Sequence, residues 1–290
     1  MSSLFARLSR SLGPNQAAQE LRWLRNAAGN QHDLEHMVSR RAQGEPLQYI
    51  IGTQPFGPLE IQTRPPVLIP RPETEQWTSK LAERISSIPR APSLKVLDIC
   101  TGTACIPLLL CNLLNTNGTQ VAGLGIDIST DACRLARNNI ASISVSPASS
   151  LAVQQMDLFN NEFWKMVENA FRMPPLQRVV DQQQIFPLDV ITANPPYIPL
   201  AQWQQLPPEV RDWEDPAALI GDAKGLTFYR RIRDLVSSGD ILSSNGLLAM
   251  EVGDGQARDV AKLFKSVLGD VEVWKDLWGK ERAVIVHGVR

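Results

Sequence analysis

The chain has 290 residues, 43% of them hydrophobic and 20% charged, which suits one large domain plus a smaller one and excludes global disorder. A formal net charge of -1 excludes a protein that wraps nucleic acid by bulk charge, so no stable nucleic-acid binding is expected. Four cysteines without a Cys-x-x-Cys pair, three histidines without accompanying soft ligands, and no apolar run near the ~20 residues of a membrane span point to free thiols, no metal site and no membrane insertion.

Residues 1–19 hold Arg7, Arg10, four serines and no acid, with Leu4, Phe5, Leu8 and Leu12 at helical spacing. That composition fits a mitochondrial presequence and equally a plain first helix. The stripe Leu21, Leu24, Leu34 and Met37, broken at Gly29-Asn30, predicts two helices over 15–43. Residues 1–43 therefore read as a small helical domain that holds a partner or packs on the larger one. In 44–66, Gly44, Gly52, Pro55, Gly57 and Pro58 punctuate β-like runs at Leu47–Ile51 and Leu59–Thr63, which predicts a β-hairpin linker. The main domain then runs over 67–290. It opens on Val67–Glu75, where Arg71 stands between Pro70 and Pro72, pre-organised for an anion or a backbone carbonyl. Glu73 or Thr74 is placed to start a helix reaching about Ile88.

Lys95–Ile99 reads as a strand, Cys100-Thr101-Gly102-Thr103-Ala104 as a tight turn of small residues, and Ile106–Leu114 as a helix. Such a turn lets a ligand approach the backbone at a helix N-terminus. The next strand, Val121–Ile126, ends at Asp127, where an acid bonds a ribose diol. This pattern does not by itself separate NAD from other adenosine cofactors. Ser129 caps a helix over Thr130–Ile140, and a third strand, Leu151–Met156, ends at Asp157-Leu158, placed to meet an adenine ring. Residues 159–187 form a long connection, helical over 159–172.

The apolar run Leu188–Ala193 predicts a buried parallel strand that must stop at Asn194-Pro195-Pro196-Tyr197, because two prolines remove two ladder donors. Asn194 is thereby fixed at a strand's carboxyl end with an uncharged amide, and Tyr197 adds a flat wall with a polar tip, a pairing suited to a planar NH2 group. An ordinary strand-ending turn fits the same four residues. Residues 198–224, with Trp203, Trp213, Asp212, Glu214 and Asp215, read as a long loop or lid. A helix over Leu226–Ser237, a strand over Gly246–Val252, a helix over Gln256–Leu268 and strands at Val271–Trp274 and Ala283–His287 complete the chain.

Several of these stretches together resemble the HemK/PrmC family of S-adenosylmethionine-dependent protein-(glutamine-N5) methyltransferases. They are Gly44–Gly52, Leu68–Glu75, the turn after Asp98, Asp127, Asn194–Ile198, Gly225-Leu226 with Tyr229-Arg230, Glu251–Gly253 with Gln256, and Asp276 with Gly279 and Arg282. The resemblance implies an α/β class I methyltransferase, with a seven-stranded, mostly parallel, Rossmann-like sheet, behind a helical N-terminal domain and hairpin. It implies that Cys100, Thr101, Gly102, Thr103 and Ala104 lie against the methionine part of S-adenosylmethionine, that Asp127 holds the ribose, and that Asp157 and Leu158 border the adenine. It further implies that Asn194 and the Pro195 carbonyl accept the two hydrogens of a glutamine amide, with Pro196 and Tyr197 beside it and Arg71 on the substrate side. The substrate implied is the Gly-Gly-Gln loop of a class I peptide-chain release factor.

Family members usually carry glycine where this chain has Cys100 and Ala104. If the backbone at 100 needs φ > 0, Cys there costs about 1–2 kcal/mol. Leu158 stands where some members stack a tryptophan. An adenine-N6 methyltransferase acting on DNA or RNA is the alternative activity, opposed by the net charge. A cofactor-free binding module and an NAD-dependent oxidoreductase are further rivals. A monomer is expected, in the mitochondrial matrix, or in the cytoplasm if the protein is bacterial.

Overall fold

The computed structural model describes residues 3–88, 93–237, 239–265 and 267–288. Residues 1 and 2 of the presequence candidate therefore lie outside the described residues.

Helices α1 (Ser3–Leu12), α2 (Pro14–Ala27) and α3 (Gln31–Ala42) form a helical unit around Leu8, Leu21, Leu24, Leu34 and Val38. Pro14 opens α2, where its missing N–H costs nothing, and the Asn30 side chain caps α3 by accepting from the Asp33 N–H. The Arg/Ser-rich start is spent on α1, whose Leu8 is fully buried. Leu47–Ile51, expected as a strand, is instead a short helix, α4. Pro46 fixes the entry, Gly52 at φ +94 closes it by donating to the Gln48 carbonyl, and Leu47 and Ile50, three apart on one face, reach the helical core. The helical unit thus extends to Ile51 rather than ending at 43. The hairpin is β1 (Thr53–Phe56) with β2 (Leu59–Gln62).

Helix α5 runs Pro72–Ser86 and starts at Pro72 rather than at a Glu73 or Thr74 cap. Pro is suited to the first helical position, and the Thr74 hydroxyl is engaged elsewhere. Strands β3 (Ser93–Ile99), β4 (Gln120–Asp127), β5 (Ser150–Gln155), β6 (Leu188–Ala193), β7 (Leu242–Glu251), β8 (Val271–Lys275) and β9 (Glu281–His287) form one sheet. Its order is β5-β4-β3-β6-β7-β9-β8, parallel except for β9, which runs antiparallel to β7 and β8. The α/β class I methyltransferase architecture expected from the resemblance is therefore present.

Helices α6 (Cys105–Thr116) and α7 (Thr130–Ser142) bury one sheet face together with α5 and the hairpin. Helix α8 (Phe163–Phe171) packs on the other face. The segment read as a loop over 198–224 carries three short helices, α9 (Leu200–Trp203), α10 (Pro208–Arg211) and α11 (Pro216–Leu219). Helices α12 (Thr227–Val236) and α13 (Ala257–Phe264) join α8 on its face. Central strands buried on both faces explain why β3 and β6 read as near-continuous apolar runs.

Candidate active site

Strand order reverses between β3 and β6, and open α/β sheets form their ligand crevice outside the carboxyl ends at such a point. Register fixes what meets there. Ile99 pairs with Ala193 on one side and Ile126 on the other, so Cys100 stands beside both Asn194 and Asp127.

The turn after β3 is held by its own backbone. Thr101 N donates to the Ile126 carbonyl at 2.9 Å, Gly102 N to Asp127 Oδ2 at 2.9 Å, and Ala104 N to the Thr101 carbonyl at 2.8 Å. Cys100 (φ 59) and Ala104 (φ 63) both lie in the left-handed region, the conformation that glycine adopts freely. Each carries a strain of about 1–3 kcal/mol. Asn139 of α7 braces the turn from behind: its amide donates to the Thr103 carbonyl at 3.0 Å and to the Gln62 carbonyl at 3.2 Å, tying hairpin to turn. No sequence motif announced that residue, because its partners are distant in the chain.

In front of the turn lies a cavity of about 240 Å³. Cys100, Thr101, Gly102, Thr103, Asp127 and Asn194 line it, with Val67, Leu68, Ile106, Ile128 and Phe228 as apolar walls and Asp215 as a second acid. Asp127 uses Oδ1 to accept from Ser129 N and Oδ2 to accept from Gly102 N, so it is rigidly held, and burial raises its pKa. Ala104, Asp157 and Leu158, expected at the cofactor, are not in this lining. Ala104 is fully buried beneath the turn, Asp157 is exposed with Oδ1 accepting from Phe159 N, and Leu158 is packed into the core around Phe163. The apolar side of the cavity is supplied instead by Ile128, 62% exposed at the tip of β4, and by Phe228.

A second cavity of about 220 Å³ adjoins the first and shares Asn194 and Leu68 with it. Tyr197, Arg71, Leu206, Val210 and Glu251 complete its wall. Among the described residues none hydrogen-bonds the Asn194 side-chain amide, and none donates to the Pro195 carbonyl. Tyr197 is fixed at both ends: its hydroxyl donates to Glu251 Oε1 at 3.1 Å, and its carbonyl accepts from Gln256 Nε2 at 2.9 Å. Burial, and then the Glu251 carboxylate, push the Tyr197 hydroxyl up, so it stays a donor. Gly225 (φ +67) passes so close that a Cβ there would lie 1.9 Å from the Tyr197 carbonyl oxygen.

Arg71 is not the free guanidinium its flanking prolines suggested. Its Nη2 bonds both oxygens of the buried Glu214, at 2.7 and 2.8 Å. That pair, the Asp215 N–H on the Pro66 carbonyl, and the Ile198 N–H on the Leu219 carbonyl anchor the 198–224 segment over the second cavity. The segment expected as a loop or lid is thus tied to the body of the protein at Glu214 and Asp215.

Asp98, on β3 two residues before Cys100, is fully buried; Oδ1 accepts from the Thr192 hydroxyl at 2.6 Å, and the Thr101 hydroxyl also acts on its carboxyl. Burial raises its pKa to about 7. A carboxyl raised above its unfolded value of about 3.9 favours folding below that pH, and the contribution is lost as pH rises through about 7. Thermal melts of the cofactor-free protein are expected to fall from pH 5 to pH 8, and Asp98→Asn is expected to flatten that slope. An equal slope in the variant would reject the assignment.

A family model described as the PrmC N-terminal domain matches residues 3–52. A release factor glutamine methyltransferase of Thermodesulfovibrio yellowstonii is 34% identical over 257 residues, covering 88% of this chain and 81% of that protein. One of Geobacter sulfurreducens is 36% identical over 229 residues, covering 79% of this chain and 68% of that protein. Among solved structures, a methyltransferase from Pyrococcus furiosus matches with a TM-score of 0.50 at 15% identity, covering 80% of this chain and 90% of that one, a likeness of fold.

Proposed function

The chain belongs to the family of release factor glutamine methyltransferases, and from that premise we propose which of its residues hold cofactor and substrate. The protein is a methyltransferase that moves a methyl group from S-adenosylmethionine to the side-chain nitrogen of a release factor glutamine, the one in the Gly-Gly-Gln loop. Bound S-adenosylmethionine supplies a methyl group on a positively charged sulfur.

The residues present fit that cofactor. Asp127, immobilised by two backbone N–H groups, suits a ribose diol, and the acids Asp127 and Asp215 suit a cation. Ile128 and Phe228 offer apolar faces to a flat base. Cys100, Thr101, Gly102 and Thr103 would lie along the methionine part. Asp157 stands exposed beyond the lining, and Leu158 and Ala104 are buried beside it.

One observation carries the substrate assignment: the Asn194 amide is half-buried, unpartnered among the described residues, and lines both cavities. Asn194 Oδ1 and the Pro195 carbonyl accept the two N–H bonds of the glutamine amide, while Tyr197 and Pro196 wall it in. Accepting both hydrogens pulls electron density toward the nitrogen and fixes it opposite the methyl group, so orientation does most of the work. Arg71 holds Glu214 and also lines the second cavity, which supports a place on the substrate side.

The release factor is a bacterial-type class I factor, and the enzyme acts as a monomer, with the helical unit gripping the substrate outside the active site. A mitochondrial location draws support from the bacterial-type substrate, the Arg/Ser-rich start and the 159–187 insert. The cleavable-presequence part of that reading is weakened by Leu8, since removing α1 would strip the core of the helical unit.

The test is methyl transfer from labelled S-adenosylmethionine to a class I release factor, with its Gly-Gly-Gln glutamine changed to alanine and a DNA duplex as parallel substrates. Label on the unaltered factor alone is expected. Label on DNA, or on both factors equally, would overturn the substrate assignment and favour an exocyclic-amine acceptor.

A further inference from the structure

We propose that Glu251 is a positioning residue for methyl transfer, fixing Tyr197 and joining the walls of the two cavities; this rests on the glutamine reading above. The register Ala193↔Met250 sets Glu251, the last residue of β7, beside Asn194, the residue after β6, at the carboxyl ends of the two strands. Both line the second cavity.

Glu251 is 3% exposed and no Lys, Arg or His pairs with it among the described residues. It is held by neutral donors instead. The Thr74 hydroxyl and the Trp77 indole N–H donate to Oε2 at 2.5 and 2.8 Å, and the Tyr197 hydroxyl donates to Oε1 at 3.1 Å. Thr74 lines the first cavity and Tyr197 the second, so one carboxylate ties the two walls together. The Tyr229 hydroxyl fixes the Glu251 carbonyl at 2.7 Å.

A carboxylate buried without a cation is costly. Glutamine would accept from Thr74 and Trp77 in the same space at much lower cost. Burial raises the Glu251 pKa, and the hydrogen bonds from Thr74, Trp77 and Tyr197 act against that rise. In the reaction the nitrogen lone pair forms the N–C bond, the methyl–sulfur bond breaks with its electron pair on sulfur, and one amide proton leaves to solvent. Between the first and last of these events the nitrogen carries positive charge. Glu251 acts on this step by holding Tyr197 still beside the amide, which keeps the nitrogen in line with the methyl group. Arg71 and Arg282 lie near enough to act on the same Tyr197, but each is already paired, with Glu214 and with Asp276 respectively.

Glu251→Gln preserves volume and the acceptor for Thr74 and Trp77 and replaces the oxygen that accepts from Tyr197 with an NH2 group. It is expected to lower kcat by about 10²-fold, with KM for the release factor and cofactor Kd within about threefold and a melting temperature equal or higher. Combined with Tyr197→Phe it is expected to lose no more than the worse single variant, because part of its action runs through that hydroxyl. Unchanged kcat in Glu251→Gln, or a kcat loss matched by lost cofactor binding and a lowered melting temperature, would overturn the proposal. If Glu251→Gln does not fold, Tyr197→Phe decides: a kcat loss of about tenfold at unchanged cofactor Kd supports it, and wild-type kcat overturns it. Failure of the wild-type enzyme to label the release factor would strike the glutamine reading instead, so the two failures are distinguishable.

Discussion

Asn194→Ala is expected to lower kcat for release factor methylation by about 10²–10³-fold, with cofactor Kd changed by no more than a few-fold. The size follows from what the side chain does. An amide nitrogen is a poor nucleophile because its lone pair is shared with the carbonyl, so the enzyme must fix the rotation of the NH2 group. Asn194 is fit for this because it is itself fixed: Ala193 ends the β6 ladder, Pro195 excludes helical backbone at 194, and no internal hydrogen bond among the described residues competes for the amide. Alanine leaves the fold intact and removes one acceptor. Asn194→Asp keeps an acceptor oxygen at the same place and is expected to retain more activity than Asn194→Ala. Equal kinetics for wild type and Asn194→Ala would show that the amide is held by other groups.

What could be read from the sequence divides along a physical line. Strand β6 and the position of Asn194 were legible because a local rule, apolar run then double proline, fixes both. The turn at Cys100–Ala104 was legible for the same reason, and its left-handed residues at 100 and 104 bear out the conditional strain. Leu47–Ile51 was misread because five apolar-rich residues fit either period, and only the gap in the helical core that Leu47 and Ile50 fill decides between them. Arg71 was assigned to a ligand because its partner, Glu214, is 143 positions away in the chain. Glu251 was legible as part of a motif but not as a carboxylate shared by α5, β6 and β7 neighbours, since that sharing exists only after the sheet closes. Asp157 and Leu158 were placed beside an adenine by the end of the third strand and by the resemblance; β5 is the sheet's edge, and its tip lies outside the lining of the first cavity.

Arg41→Ala is expected to destabilise the protein by about 3–5 kcal/mol and, separately, to weaken substrate use. Arg41 on α3 is 3% exposed and holds Glu20 on α2, itself 4% exposed, through Nε at 2.5 Å and Nη2 at 3.0 Å. Its Nη1 donates to the Glu45 carbonyl at 3.1 Å, and its Nη2 also pairs with Glu209 on α10 at 3.1 Å. Truncation leaves the Glu20 charge buried without a cation, with only the Gln16 amide donating to it at 2.8 Å, which is the costly way to break such a pair. The Glu209 contact is different in kind. Glu209 is solvent-exposed, so it adds little stability, but the next residue, Val210, walls the second cavity. Arg41 therefore ties the helical unit to the wall of the amide pocket. Replacing Arg41 and Glu20 together by methionine removes the buried charges without restoring that tie. The double variant is expected to recover most of the stability in chemical denaturation while KM for the release factor stays raised severalfold. A double variant with wild-type KM would make Arg41 a purely structural residue, and Arg41→Ala costing under about 1 kcal/mol would mean that the pair is not buried in solution.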